Sequence, residues 1–470
     1  MKIAICSSEV FPFAKTGGLG DVCGSLPLAL EKIGIDVSVF LPKYQGIDDK
    51  QFHLEAVCEN CVKTTLGQNI TVYLMENDDF FLRDGLYGDA FGDYPDNLER
   101  FQYYCLKSLD VMKHLNEPYD VIHCHDWQSS LIPVYMKEKY GHDPFFTKTK
   151  TLLTIHNMAF QGIFPKQEFS SLELKQSLLE SHTIESFEKI NLLKAGILLS
   201  HKVSTVSQQY AKEIQTKAFG CGLDEVLRSR KDGIGGVLNG FDHEVWNPQT
   251  DELITKKYSA ADFIEGKREN KLELQKYFNL EVSPDIPVLG FVGRLSDQKG
   301  IDLILDAAST LGEKGIQLII LGVGEEKFHQ LLSRLPNLCP GKIAVCLKFD
   351  EKIAHQIYSG SDLLLMPSKF EPCGLSQIIS LRYGTVPVVF KTGGLVDTIS
   401  HYDPSSESSN GFVFDQYTSE AFLGTLEKAL EVYQNKDQFQ RLIRNAFAAD
   451  FSWENSAHEY QKIYQCLSSD

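Results

Sequence analysis

The sequence predicts an α/β protein built from two doubly wound parallel sheets, one in each half of the chain. Three observations carry this. The chain has 470 residues, which at roughly 100–200 residues per domain calls for two or three domains. Apolar strand-like runs alternate with helical apolar spacing through residues 1–242, the pattern of a parallel sheet covered by helices on both faces. After a polar, partly helical stretch, Glu244–Pro287, the same rhythm restarts and completes a second unit.

Lys2–Ser8 is β-compatible, Asp21–Ile33 has helical spacing, and Asp36–Leu41 is a second strand closed by Pro42. Strands Val121–Cys124, Thr151–Ile155 and Lys202–Val206 follow, with helices over Arg100–Leu115 and Gln128–Lys139. The Asp/Gly-rich stretch Asp84–Asp96 reads as a loop. Val237–Asp242 closes the first series. In the second half, strands Val288–Val292, Gln317–Leu321, Ile343–Leu347, Asp362–Met366 and Val386–Val389 alternate with helices Ile301–Leu311, Glu325–Leu335, Glu351–Ser359 and Ser376–Arg382. In the tail, Ser452 suits a helix N-cap. Trp453, Ala457, Tyr460, Tyr464 and Leu467 then line one helical face. The expected division is 1–242, 243–450 and a tail helix, 451–470, crossing back to the first domain.

Composition excludes several classes. The 46 basic and 63 acidic residues leave a formal charge of −17. That surplus argues against a broad nucleic-acid or anionic-membrane partner, because phosphate surfaces need clustered Lys and Arg. No apolar run approaches the ~20 residues that span a bilayer, and Met1–Phe13 is no secretory signal. The 11 cysteines show no small-domain disulfide spacing and fit buried thiols of a cytoplasmic protein. Cys58-x-x-Cys61 lacks the second pair that a structural zinc would need. No motif speaks to oligomeric state.

The candidate chemistry lies at strand ends. Lys15-Thr16-Gly17-Gly18-Leu19-Gly20-Asp21 follows the first strand, and Lys391-Thr392-Gly393-Gly394-Leu395-x-Asp397 repeats it. Each puts a glycine turn at a helix N-terminus, where amides and the helix dipole suit an anion or sugar hydroxyls; two ordinary strand-to-helix turns would read alike. Arg294 follows the strand Val288–Val292 and Lys299 opens the next helix. There they could neutralise a leaving diphosphate or simply be solvated. Glu371, with Pro372-Cys373-Gly374-Leu375, follows Asp362–Met366, where a ligand contact and a surface position fit equally well. His123-Cys124-His125-Asp126-Trp127 and Thr154-Ile155-His156-Asn157 each end a strand. They read either as a metal pair or as a polar site for sugar hydroxyls. No P-loop or complete G-x-G-x-x-G is present, which disfavours P-loop ATPases and nicotinamide dehydrogenases.

These motifs, in this order and with Asn239-Gly240 and Gly293-Arg294-Leu295, resemble those of the bacterial glycogen synthase and plant starch synthase family over the whole chain. The resemblance implies a GT-B fold: two Rossmann-like doubly wound domains facing across a cleft. It implies retaining transfer of glucose from a nucleotide-sugar donor, ADP-glucose, to the non-reducing 4-OH of an α-1,4-glucan such as glycogen or a maltooligosaccharide, with no metal or other cofactor. By matched position, Lys15, Arg294 and Lys299 would bind the diphosphate. Gly17 and Gly18 would bring amides close, with Asp21 in the same loop. Glu371 and the Cys373, Gly374 and Leu375 backbone would hold the glucosyl hydroxyls. His156 and Asn157 would contact the donor sugar, Asn239 would add a polar contact, and Asp126 would line the reacting face. Thr392, Gly393 and Gly394 would form a second backbone cradle. Residue 1 already begins the first domain, which favours the bacterial enzyme over a plastid one with a transit peptide.

The motifs do not read the base. A transferase using a UDP donor or a small acceptor is therefore the nearest rival. A non-catalytic glucan-binding protein on the same fold is the rival from another class. It would be marked by loss of Lys15, Arg294, Lys299 or Glu371, all of which are present.

Overall fold

A computed structural model describes residues 1–469. The chain divides into two units: Met1–Gly240 together with the segment from Trp453 onward, and Phe241–Ser452.

The first unit is built on one nine-stranded sheet. Its strands are β1 (Lys2–Cys6), β2 (Asp36–Pro42), β3 (Glu55–Cys58), β4 (Cys61–Leu66), β5 (Ile70–Met75), β6 (Val121–His125), β7 (Lys150–Ile155), β8 (Lys202–Thr205) and β9 (Gly235–Gly236), in the order β9-β8-β7-β6-β1-β2-β5-β4-β3. Pairing is parallel from β9 to β5. The central strands are almost wholly buried, as expected of a sheet covered on both faces. The expectation of a purely parallel sheet fails at one edge, where β3 and β4 run antiparallel. Glu55, Lys63, Thr64 and Thr65 leave that edge half-wet, and an antiparallel edge tolerates water.

Element limits shift where side chains compete with the ladder. β1 ends at Cys6; Ser7 still donates to the Phe40 carbonyl (3.2 Å) before the chain leaves the sheet, which frees Ser8 and Glu9. Helix α1 (Gly18–Lys32) begins three residues before the expected start, and α2 covers Asn97–His114. The expected helix Gln128–Lys139 is broken into Asp126–Ser129 and Leu131–Glu138. There the Ser129 and Ser130 hydroxyls donate back to the His125 and Asp126 carbonyls (2.8 and 3.0 Å).

The second unit holds six parallel strands, β10 (Val288–Val292), β11 (Gln317–Leu321), β12 (Ile343–Cys346), β13 (Leu363–Met366), β14 (Val386–Phe390) and β15 (Phe412–Phe414), in the order β12-β11-β10-β13-β14-β15. This is the doubly wound sequence, with its reversal between β10 and β13. The parallel part of the first sheet reverses in the same way between β1 and β6. Ligands of open α/β sheets bind outside the carboxyl ends of the strands at such a reversal. Helices α3 (Ile301–Glu313), α4 (Ser376–Arg382) and α5 (Gly393–Thr398) follow β10, β13 and β14.

The last helix, α6 (Trp453–Ser469), belongs to the first unit. It packs on α1 and β6 and buries Ala457, Tyr460, Tyr464 and Leu467. None of the described helices is long and apolar enough to cross a membrane.

Candidate active site

In the first unit the loop after β1 is organised by Glu9, a residue that no motif singled out. Its buried carboxylate accepts the Thr16 and Gly17 amides on Oε2 (2.6 and 3.1 Å) and the Thr16 and Tyr87 hydroxyls on Oε1 (both 2.7 Å). Ser8 Oγ lies 2.8 Å from the Tyr87 hydroxyl. Tyr87 comes from the Asp84–Asp96 stretch, which is therefore an anchored loop: Arg83 closes its base on Asp96 (2.6 Å). Lys15 stands at the exposed rim, paired with Asp21 (2.6 Å).

The repeated Lys-Thr-Gly-Gly-Leu stretch is not one structure used twice. A Cβ added at Gly17 or Gly18 would meet nothing within 4 Å, whereas at Gly393 it would lie 2.0 Å from the Glu371 carbonyl and at Gly394 2.0 Å from that of Cys373. The second glycine pair is needed for packing, because the Glu371–Cys373 loop lies against it and the Gly394 amide donates to the Glu371 carbonyl (2.9 Å). The expected cradle at Thr392–Gly394 is thus a close-packed turn in which the Gly394 amide is already bonded. The Gly17 amide is also taken, by Glu9 (3.1 Å), and the Gly20 amide donates to the Gly17 carbonyl (3.2 Å), so it is the Gly18 and Leu19 amides that face outward at the start of α1.

Asp126 follows β6 in a left-handed conformation (φ 55°). An L-residue other than glycine adopts it at a cost, most readily as Asp or Asn. Its Oδ1 accepts the His156 amide (2.7 Å), which ties the ends of β6 and β7 together. Burial pushes the Asp126 carboxyl up to about 7, against the pull of the His156 and Asn157 amides. Burial lowers the His156 imidazole to about 3 and those of His123 and His125 well below their usual range. Asn157 Oδ1 accepts the Ala159 amide (2.9 Å). Among the described residues, Asn239 is buried with its Oδ1 unpartnered, and no hydrogen bond joins it to these residues.

In the second unit the loops after β10, β13 and β14 converge. Lys299 pairs with Glu371 (2.6 Å), and Ser368 Oγ donates to the same carboxylate oxygen (3.0 Å). The resemblance gives these two residues separate tasks; the structure makes them partners. Gln298 stitches the loops from both sides, donating through Nε2 to the Phe370 carbonyl (3.1 Å) and accepting the Lys369 amide (2.8 Å). Arg294 is exposed and reaches Gln298 Oε1 at 3.4 Å. Cys373 is buried and in no disulfide, and Gly374 and Leu375 lead into α4. Among the described residues, no group of three or more His, Cys, Asp or Glu is arranged to hold a metal ion.

Two cation-bearing sites, each at the reversal of a doubly wound sheet, define a glycosyltransferase of GT-B fold, and the comparisons agree. Residues 2–229 match the starch synthase catalytic domain and residues 275–448 match glycosyl transferases group 1. The chain is 44% identical to a glycogen synthase of Geotalea daltonii, covering 99% of both chains. It is 42% identical to one of Pseudothermotoga lettingae over 99% of this chain and 98% of that one. The catalytic domain of starch synthase IV from Arabidopsis thaliana, solved with ADP and acarbose bound, superposes with a TM-score of 0.90 at 31% identity, over 100% of this chain and 99% of that one. Sucrose-phosphate synthase from Thermosynechococcus elongatus shares the fold alone (TM-score 0.60, 17% identity, 100% and 99% covered). The chain belongs to the glycogen and starch synthase family.

The residues that the sequence missed had weak signals. Glu9 is a carboxylate three residues after a buried parallel strand, at the edge where ligands bind, and that position was its only mark. Tyr87 lies in a stretch whose composition says only loop.

Proposed function

We propose that this glycosyltransferase is a cytoplasmic glycogen synthase, which moves glucose from ADP-glucose to the non-reducing 4-OH of an α-1,4-glucan with retention. The observation that carries the reading is likeness over the whole chain to glycogen synthases and to a starch synthase solved with ADP bound. On the second unit, Arg294 and Lys299 are the cations for the donor diphosphate, preorganised against the charge that develops on the leaving group. They take the part a metal plays in other transferases, so the reading needs none. Glu371 and the Cys373–Leu375 backbone meet the glucosyl hydroxyls, with Thr392, Gly393 and Gly394 holding that loop in place. On the first unit, Lys15, Gly17, Gly18 and Asp21 form a polar loop for phosphate or sugar. His156, Asn157 and Asn239 meet sugar hydroxyls, and Asp126 lines the reacting face.

In this reading the bond from C1 to the phosphate oxygen breaks on the face where the acceptor O4 attacks. The 4-OH proton passes to the leaving phosphate, and no glucosyl-enzyme forms. A retaining glycosidase would instead use a carboxylate nucleophile. Incorporation of labelled glucose into glycogen from ADP-glucose, run beside UDP-glucose, tests donor and acceptor together; transfer from UDP-glucose alone would overturn the donor assignment. Mass spectrometry of the enzyme quenched during turnover tests the mechanism, and a glucosyl adduct would sink it.

A further inference from the structure

His156 is gripped twice. Asp126 takes its backbone amide (2.7 Å), and His125 Nδ1 lies 2.9 Å from its ring Nε2. The rings come from the ends of neighbouring parallel strands, β6 and β7. Behind them His123, its ring centroid 4.1 Å from that of His125, is bonded at both nitrogens: Nδ1 to the Tyr464 hydroxyl (2.8 Å) and Nε2 to Thr154 Oγ1 (2.6 Å). His125 differs. Its Nε2 is buried without a partner among the described residues. His156 is half-buried, and its Nδ1, on the side away from His125, has no protein partner among the described residues.

Burial keeps both rings neutral, so each carries a single N–H. Two arrangements satisfy the 2.9 Å contact. In one, His156 Nε2–H donates to His125 Nδ1; the His125 proton then sits on Nε2, as a buried donor facing nothing. In the other, His125 Nδ1–H donates to His156 Nε2, and what is left buried is only a lone pair. Orphaned buried N–H groups are rarer in proteins than under-used acceptors, and an unmade bond costs the full desolvation of the group. The second arrangement wins. His156 Nε2 is then an acceptor, and the His156 proton resides on Nδ1.

We propose that His125 is a positioning residue that fixes His156 in the Nδ1–H tautomer, so that the nitrogen offered to the ligand is a hydrogen-bond donor. The tautomer of an imidazole is set by the bond its other nitrogen makes. A donor there matches an oxygen of the donor sugar or its phosphate, and a bare lone pair would repel the latter. This rests on the reading that His156 meets the donor substrate.

The test is 15N NMR of the full chain labelled at histidine, with the His156 signals assigned by their loss in His156→Gln. In the wild type, Nδ1 is expected to be the protonated nitrogen of His156 and Nε2 the bare one; no variant is needed for that reading. His125→Asn keeps an N–H at the δ position, and His125→Leu keeps bulk alone. In His125→Leu the His156 proton is expected to redistribute to Nε2, and kcat/KM for ADP-glucose to fall at least about tenfold. His125→Asn is expected to restore both. An Nε2–H tautomer in the wild type, or an Asn variant as impaired as the Leu variant, overturns the proposal. Full activity of His156→Ala would overturn the substrate contact alone, while the nitrogen signature still decides the tautomer.

Discussion

Lys299 Nζ lies 2.6 Å from Glu371 Oε2, so the cation after β10 and the carboxylate after β13 reach the sheet edge already joined. Lys299→Ala leaves that carboxylate, 6% exposed, with Ser368 as its remaining side-chain donor. It is expected to cost about 1–3 kcal/mol in urea unfolding and to lower kcat/KM at least about tenfold, roughly 1.4 kcal/mol of transition-state stabilisation. Glu371→Gln should lose activity with less effect on folding, since the amide keeps the shape. A double-mutant cycle should show coupling between the two; strict additivity would separate them.

Lys15 offers the opposite profile. Its pair with Asp21 is exposed, and such pairs contribute about 0–1 kcal/mol. Lys15→Ala should therefore leave thermal stability nearly unchanged while kcat/KM on ADP-glucose drops at least about tenfold. Near-normal activity would remove Lys15 from the donor site.

Glu9 is predicted to matter as much as the residues it holds. Glu9→Gln replaces one acceptor oxygen by a donor NH2, which must face either the Thr16 and Gly17 amides or two hydroxyls. The loop then loses its organiser, and kcat/KM is expected to fall about tenfold or more. Tyr87→Phe removes one hydrogen bond to a charged group, worth roughly 1.5–3 kcal/mol at most, and should fall less. Equal losses would place the effect in Tyr87 instead.

Asp126 predicts a pH signature. Its carboxyl is raised from 3.8 to about 7 in the fold, so between those values the folded state binds more protons than the unfolded one. Stability from this group is full near pH 4, declines as pH rises and is lost by about pH 7. The depressed imidazole of His156 acts in the opposite direction over lower pH, so the comparison must be between variants. The melting temperature of Asp126→Asn minus that of the wild type should climb from pH 5 to pH 7 and then level off. A flat difference would mean that Asp126 titrates normally.

The alternation of apolar runs made both doubly wound units legible, and with them the two sheet reversals where Lys15, Asp126, Lys299 and Glu371 stand. The β3–β4 edge was not, because its polar residues erase the apolar run that marks a buried strand. Within the sites, sequence named single residues but not their partners. Lys299 and Glu371 are 72 positions apart, and Glu9 reaches Tyr87 across 78; pairings at that range come from topology, not local pattern. The repeated Lys-Thr-Gly-Gly-Leu hid a difference in packing for the same reason. What a glycine is for depends on what lies opposite it, and only Gly393 and Gly394 have a backbone there.

The final helix sets a timetable for synthesis. Tyr464, which holds His123, and Ala457 and Tyr460, which fill the first unit beside it, leave the ribosome only after all of Phe241–Ser452. At about 5–20 residues per second that delay is roughly 10–40 s. Throughout it the surface of α1 and β6 on which α6 packs lacks that helix. The second unit, continuous in sequence, can fold meanwhile, so the half of the enzyme translated first is the half completed last.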